Sequence, residues 1–207
     1  MKKILGLLLL VFAFVSCENE TDTNSPGMQA MANNEEFTAG FKYEVWRPDR
    51  IDAFVANESV LYLIGQTDST AFTIRVPYRL EQGRTTMIEL GDVIEETTEE
   101  GNVIKSGVKN SNNDEAYAIY TVRDNFDKTV LATYKTNDIS NRGVVVLDKM
   151  EDQIPGTISG TFYVNLKKFP GKDKLTTEQQ IKYDKVLRDV KSFQDGYFFR
   201  IPMETAK

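Results

Sequence analysis

The chain has 207 residues, 31 Asp and Glu against 25 Lys and Arg, no histidine and a single cysteine, Cys17. One cysteine excludes an internal disulfide. The lack of histidine removes the commonest general base, transition-metal ligand and triad partner. A formal net charge of −6 with no Lys/Arg cluster argues against a phosphate backbone as partner, so no nucleic acid is expected.

Lys2 and Lys3 followed by an unbroken apolar run over residues 4–15 give the basic start, apolar core and small-residue end of a secretory signal. The run is too short to cross a bilayer, which takes about 20 apolar residues. Cys17 stands where cleavage is expected, so residues 1–16 read as a lipoprotein signal peptide and the Cys17 thiol as an acyl acceptor (palmitate). Removing residues 1–16 takes away two lysines and shifts the charge from −6 to −8. Residues 17–27 then read as the lipidated cysteine and a flexible acidic tether, leaving one β-rich domain over residues 28–207. Glu18, Glu20 and Asp22 fit an ordinary solvated linker, and they also resemble the acidic export tag of surface-exposed Bacteroidetes lipoproteins. The expected location is the cell envelope, anchored by lipid in the outer membrane and facing the periplasm or the outside.

Beyond the tether, period-two alternation dominates. Phe37, Ala39, Phe41, Tyr43 and Val45 share one parity, which predicts an inward face and leaves Trp46 pointing outward. Phe72, Ile74, Val76, Tyr78 and Leu80 repeat the pattern, with Pro77 on the outward parity of an edge or a bulge. Further strands are expected near residues 60–64, 87–94, 116–122, 129–134, 144–147 and 197–201. Ile158, Gly160, Phe162, Val164 and Leu166 alternate inward, with Thr161 and Tyr163 outward. Turn chemistry separates these runs at Asn33-Asn34, Pro155-Gly156, Pro170-Gly171 and Asp195-Gly196, among others.

One helix is predicted near the C-terminus. Thr176 and Gln179 have capping-box spacing, and Ile181, Tyr183, Val186, Leu187 and Val190 recur at helical intervals, while Lys182, Lys185, Arg188 and Asp189 stay polar. The fold class is therefore mainly β, an antiparallel β-sandwich or barrel-like fold of about ten strands with one inserted helix.

The chain resembles a family of uncharacterised Bacteroidetes lipoproteins. The resemblance rests on Gln29-Ala30, Asn33-Asn34 and Phe37-Thr38-Ala39, on Gly156-Thr157-Ile158-Ser159-Gly160-Thr161-Phe162, and on Gly196-Tyr197-Phe198. It spans the mature domain and implies a shared β scaffold, but no reaction. Asn33-Asn34 stands where the family usually has Asp-Gly, which implies a tight hairpin. The helical segment over residues 176–189 is longer than the connection the family leads one to expect.

Candidate chemistry is sparse. Glu95, Glu96, Glu99, Glu100, Asp148, Glu151 and Asp152 offer carboxylates, which a glycosidase would use as a facing pair, but their clustering fits solvated loops. Asn110, Asn112, Asp114 and Glu115 place side-chain oxygens at alternating positions, a partial calcium pattern that lacks the bend glycine and the closing acid; a turn explains it as well. Trp46 and Tyr163, read as outward-facing, are the candidate ligand-binding residues, since flat aromatics on a sheet stack on sugar rings, although cover by the helix or a second sheet is the simpler expectation. No cofactor is expected. The functional expectation is a lipid-anchored, non-enzymatic binding or structural module whose partner is the membrane and a carbohydrate or an envelope protein. A carbohydrate-active enzyme using a carboxylate pair, or a module docking a partner protein, are the alternatives.

Overall fold

The computed structural model describes residues 25–36, 40–97, 103–109, 115–171 and 173–205. Cys17, the signal and most of the tether, Phe37 to Ala39, Glu99 and Glu100, and Asn110, Asn112 and Asp114 lie outside the described residues.

Thirteen strands form among them: β1 (Gly27–Asn33), β2 (Tyr43–Trp46), β3 (Arg50–Ala56), β4 (Val60–Gln66), β5 (Thr70–Pro77), β6 (Thr86–Glu89), β7 (Val93–Thr97), β8 (Val103–Gly107), β9 (Tyr117–Arg123), β10 (Val130–Lys135), β11 (Gly143–Leu147), β12 (Thr157–Pro170) and β13 (Val190–Thr205). Eleven belong to one sheet ordered β2-β1-β13-β3-β4-β5-β9-β10-β12-β11-β6, and β12 also pairs with β13. The pairings therefore close a ring through β13, β3, β4, β5, β9, β10 and β12. The long strands β12 and β13 make this possible because each changes neighbours along its length. β12 pairs with β11 at residues 160–164 and with β10 at 167–170. β13 pairs with β1 at residues 193–199 and, in parallel, with β3 at 203–205. The result is a mainly β, barrel-like sandwich of two layers, β3-β4-β5-β9-β10 and β2-β1-β13-β12-β11-β6.

The inner faces meet in an aromatic core. Phe72 of β5 stacks on Phe193 of β13 with ring centres 4.2 Å apart, and it touches Phe162 of β12 and Tyr120 of β9. The alternation at Phe72, Ile74 and Val76 and at Ile158, Phe162, Val164 and Leu166 is buried as expected. The hairpin β7–β8 packs outside the first layer, where Val93 joins Tyr117 and Ile119 in a second cluster.

Several expectations are corrected. Residues 87–94 hold two strands, not one. The chain leaves β6 at Gly91, where a side chain would strike the Val108 carbonyl at 2.5 Å, and donates the Gly91 N–H to Ala116 O. β3 escaped the sequence pattern because its buried residue is Ala53, while the larger Phe54 faces outward and stacks on Tyr62. Asn33-Asn34 is no tight turn: Asn33 ends β1 and pairs with Tyr43, so residues 34–42 form a longer connection, fastened by the Asn34 amide to Gly40 O at 2.8 Å. Pro77 is neither at an edge nor at a bulge. It ends β5 beyond the last pair with β9, where its missing N–H costs no ladder bond.

The helix is shorter than predicted. The Thr176/Gln179 capping box forms as expected. The α-helix α1 (Thr177–Ile181) then widens into a π-turn over Lys182–Val186 and stops at Leu187. Ile181 is exposed, Val190 already belongs to β13, and Arg188, expected to be solvated, is buried.

Candidate functional site

Tyr163 lies on the outer face of the second layer, as its parity predicts, opposite Val144 of β11. Its hydroxyl accepts the Asn165 amide at 2.5 Å and the Asn141 amide at 3.3 Å. Asn165 is itself held, donating to Asn141 O and accepting from Ser192 Oγ. The ring is thus fixed in place while the phenol keeps its own proton to donate.

Tyr197, which parity arguments did not single out, joins it. Along β13 the core residues Phe193 and Phe198 fall on an odd and an even position, so the strand changes parity between them. The switch is a β-bulge. Asp195 adopts a left-handed backbone (φ 48°), and the pairing slips by one residue against both β1 and β12. Such a bulge re-aims the side chains that follow it, here placing Tyr197 outward, 38% exposed. Asp195-Gly196, read as a turn, is therefore a bulge inside a continuous strand. Gly196 is required there because a side chain would meet the Phe162 ring at 2.5 Å.

Tyr163 and Tyr197 line one shallow recess of about 440 Å³ with Val144, Val146, Thr161 and Asp195. The arrangement has the parts of a sugar-ring platform. Aromatic faces carry partial negative charge that attracts C–H edges, and Asp195, Thr161 and the Tyr163 hydroxyl bring polar groups to the same recess.

Trp46 does not contribute. The expectation that it points outward is wrong: Trp46 is buried and Val45 is 57% exposed, the reverse of the predicted parity. Phe41, also predicted inward, is exposed as well. The indole enters the core edge-on to Phe72 and Phe193, at 5.5 and 5.3 Å. It fits only because Gly65 has no side chain, which would stand 2.7 Å from the indole. Three aromatic and glycine neighbours outweigh a four-residue strand's own parity. The indole N–H has no acceptor among the described residues.

Near Trp46 lies a polar cluster that was not legible in the sequence. Lys191 is buried, donates to Asn33 O and to Glu35 at 3.4 Å, and lies over the rings of Tyr120 and Phe193. Burial pushes its ammonium pKa down, against the pull of Glu35. Glu35 also accepts the Tyr120 hydroxyl, whose pKa rises well above the usual value through burial first and the carboxylate second. Arg188 donates to Asn34 Oδ1 at 3.0 Å and to Gly40 O and lies over Phe41. These bonds all run to the 34–42 connection or its flanks. The cluster is a latch that ties this connection to β13.

Of the carboxylates weighed for a catalytic pair, Glu95 and Glu151 have structural partners. Glu95 lies between Lys105 and Lys135, at 3.6 and 3.1 Å. Glu151 accepts its own backbone N–H and that of Gly83, which hold it below the usual carboxylate range. Asp148 is pushed up by burial and by Asp152. Among the described residues no three acidic or cysteine side chains gather as a metal site.

A family model described as a domain of unknown function, DUF6252, matches residues 24–202. No curated protein and no solved structure matches the chain.

Proposed function

We propose that this chain, which belongs to the DUF6252 family of domains of unknown function and takes no reaction from it, is an acyl-anchored, non-enzymatic carbohydrate-binding module of the bacterial outer membrane. The observation that supports the ligand class is the pair Tyr163 and Tyr197 in one recess, with the Tyr163 hydroxyl locked by two asparagine amides. The engagement of Glu95 and Glu151 with structural partners favours binding over catalysis. Anchoring rests on Lys2, Lys3, the apolar run over residues 4–15 and Cys17. The start of β1 at Gly27 leaves nine residues after Cys17, a reach of up to about 30 Å when extended. The acids Glu18, Glu20 and Asp22 favour the outward-facing side.

Two arms test the reading. In cells fed a palmitate analogue, the wild-type chain is expected to be labelled and to sediment with membranes, and Cys17→Ser to lose both; an unchanged Cys17→Ser chain overturns the anchor. On immobilised glycans, the detergent-solubilised chain is expected to bind and Tyr163→Ala to lose binding. Equal retention of both overturns the proposed site.

A further inference from the structure

We propose that the ligand track does not end at the first recess but crosses β13 and β1 to Arg47, so that the site takes an oligosaccharide rather than a single sugar. This rests on the carbohydrate reading above. A second recess of about 390 Å³ lies on the other side of Tyr197 and has Arg47, Pro48, Asp49 and Ile51 in its wall; Tyr197 belongs to both recesses. The residues between them are in register. Val146 pairs with Thr161, Thr161 with Tyr197, and Tyr197 with Gln29, one on each of the adjacent strands β11, β12, β13 and β1. Neighbouring strands are about 4.8 Å apart, so this row extends about 14 Å across the sheet, more than one sugar ring fills.

The far end is built for hydroxyl groups. Arg47 donates from both Nε and Nη2 to Gln29 Oε1, a neutral acceptor, which holds the guanidinium beside the row and leaves its remaining N–H donors for a ligand. Among the described residues no carboxylate forms an ion pair with Arg47. Asp49 adds an acceptor to the same recess. A guanidinium and a carboxylate offered together match the alternating donors and acceptors of adjacent sugar hydroxyls, and their opposite charges favour a neutral sugar over an anionic one. The segment is held rigidly: Trp46 and Pro48 both pack against Gly65, and the Asp49 N–H donates to Gln66 O at 2.8 Å. The buried Trp46 thus positions Arg47, although it does not itself face the ligand.

The test is calorimetric titration of the full, detergent-solubilised chain with neutral gluco-, xylo-, manno- and chito-oligosaccharides of increasing length. Affinity is expected to rise by about tenfold or more from the shortest oligomer that binds to those that fill the row. Arg47→Ala is expected to remove that gain, and Asp49→Asn to reduce it. Tyr163→Ala is expected to abolish binding at every length. Length-independent affinity, or an Arg47→Ala variant that keeps the full gain, overturns the extended track and leaves the carbohydrate reading standing. A wild-type chain that binds no oligosaccharide of any length overturns both.

Discussion

Replacing Trp46 with alanine empties a site bordered by Phe72, Phe193 and the bare backbone of Gly65. The loss is expected to be about 3–5 kcal/mol, a large part of the roughly 5–15 kcal/mol that holds a typical domain together. Urea unfolding measures it; a cost below about 1 kcal/mol would show that the indole is not a core residue. Tyr163, the other aromatic singled out at the outset, has the opposite environment, with a half-buried ring and a hydrogen-bonded rim. The two residues differ for a reason that single-strand parity does not contain. Tyr163 sits in the middle of a fourteen-residue strand whose alternation is enforced by four buried partners on the other face. Trp46 ends a four-residue strand, and distant neighbours decide its side. Lys191 was illegible for the same reason: its partner Glu35 lies 156 residues away.

At the scale of the element, the bulge at Asp195 governs the ligand face. Long, regular strands such as β5 and β12 were readable because large apolar residues recur at every second position and one face is buried. β3 was not, since its inward position is an alanine. β13 was read only in part, because Asp-Gly is equally suited to a turn and to a bulge, and only the pairing on both sides distinguishes them. Deleting Asp195 takes out the extra residue and leaves Phe193 and Phe198 four positions apart, so strict alternation alone keeps both facing the core. The expected outcome is a loss below about 1 kcal/mol in urea unfolding. A loss of about 3–5 kcal/mol, the size of a displaced core phenylalanine, would contradict this placement of the bulge. The helix was overextended because Leu187 and Val190 kept a helical spacing into a segment that pairing with β12 draws into β13.

For the whole molecule, the ring of strands buries Tyr120 and Tyr134 while the β7–β8 hairpin covers Tyr117 on the outside of the first layer, and burial raises all three phenol pKa values, that of Tyr117 to about 12. In the unfolded chain they ionise near 10. Stability from these groups is therefore complete below about pH 10 and is lost as pH rises through that value towards the folded ones. Lys191, lowered in the fold, acts in the opposite sense below about pH 10.5, but one lysine opposes three tyrosines. The melting temperature is expected to fall steeply above about pH 10, with tyrosinate absorbance from these residues appearing only on unfolding. A flat profile there would contradict their burial.

The two-layer architecture leaves the outer faces unequal, the first partly covered by the β7–β8 hairpin and the second offering the Tyr163 and Tyr197 recess. The most direct test of that face is an NMR titration of the detergent-solubilised chain with the oligosaccharide that binds most tightly, following tyrosine ring signals. Shifts are expected at Tyr163 and Tyr197, with Tyr120 and Tyr134 unmoved. Shifts confined to Tyr120 and the Lys191 latch, or saturation that leaves Tyr163 and Tyr197 unchanged, would rule out this face as the ligand site.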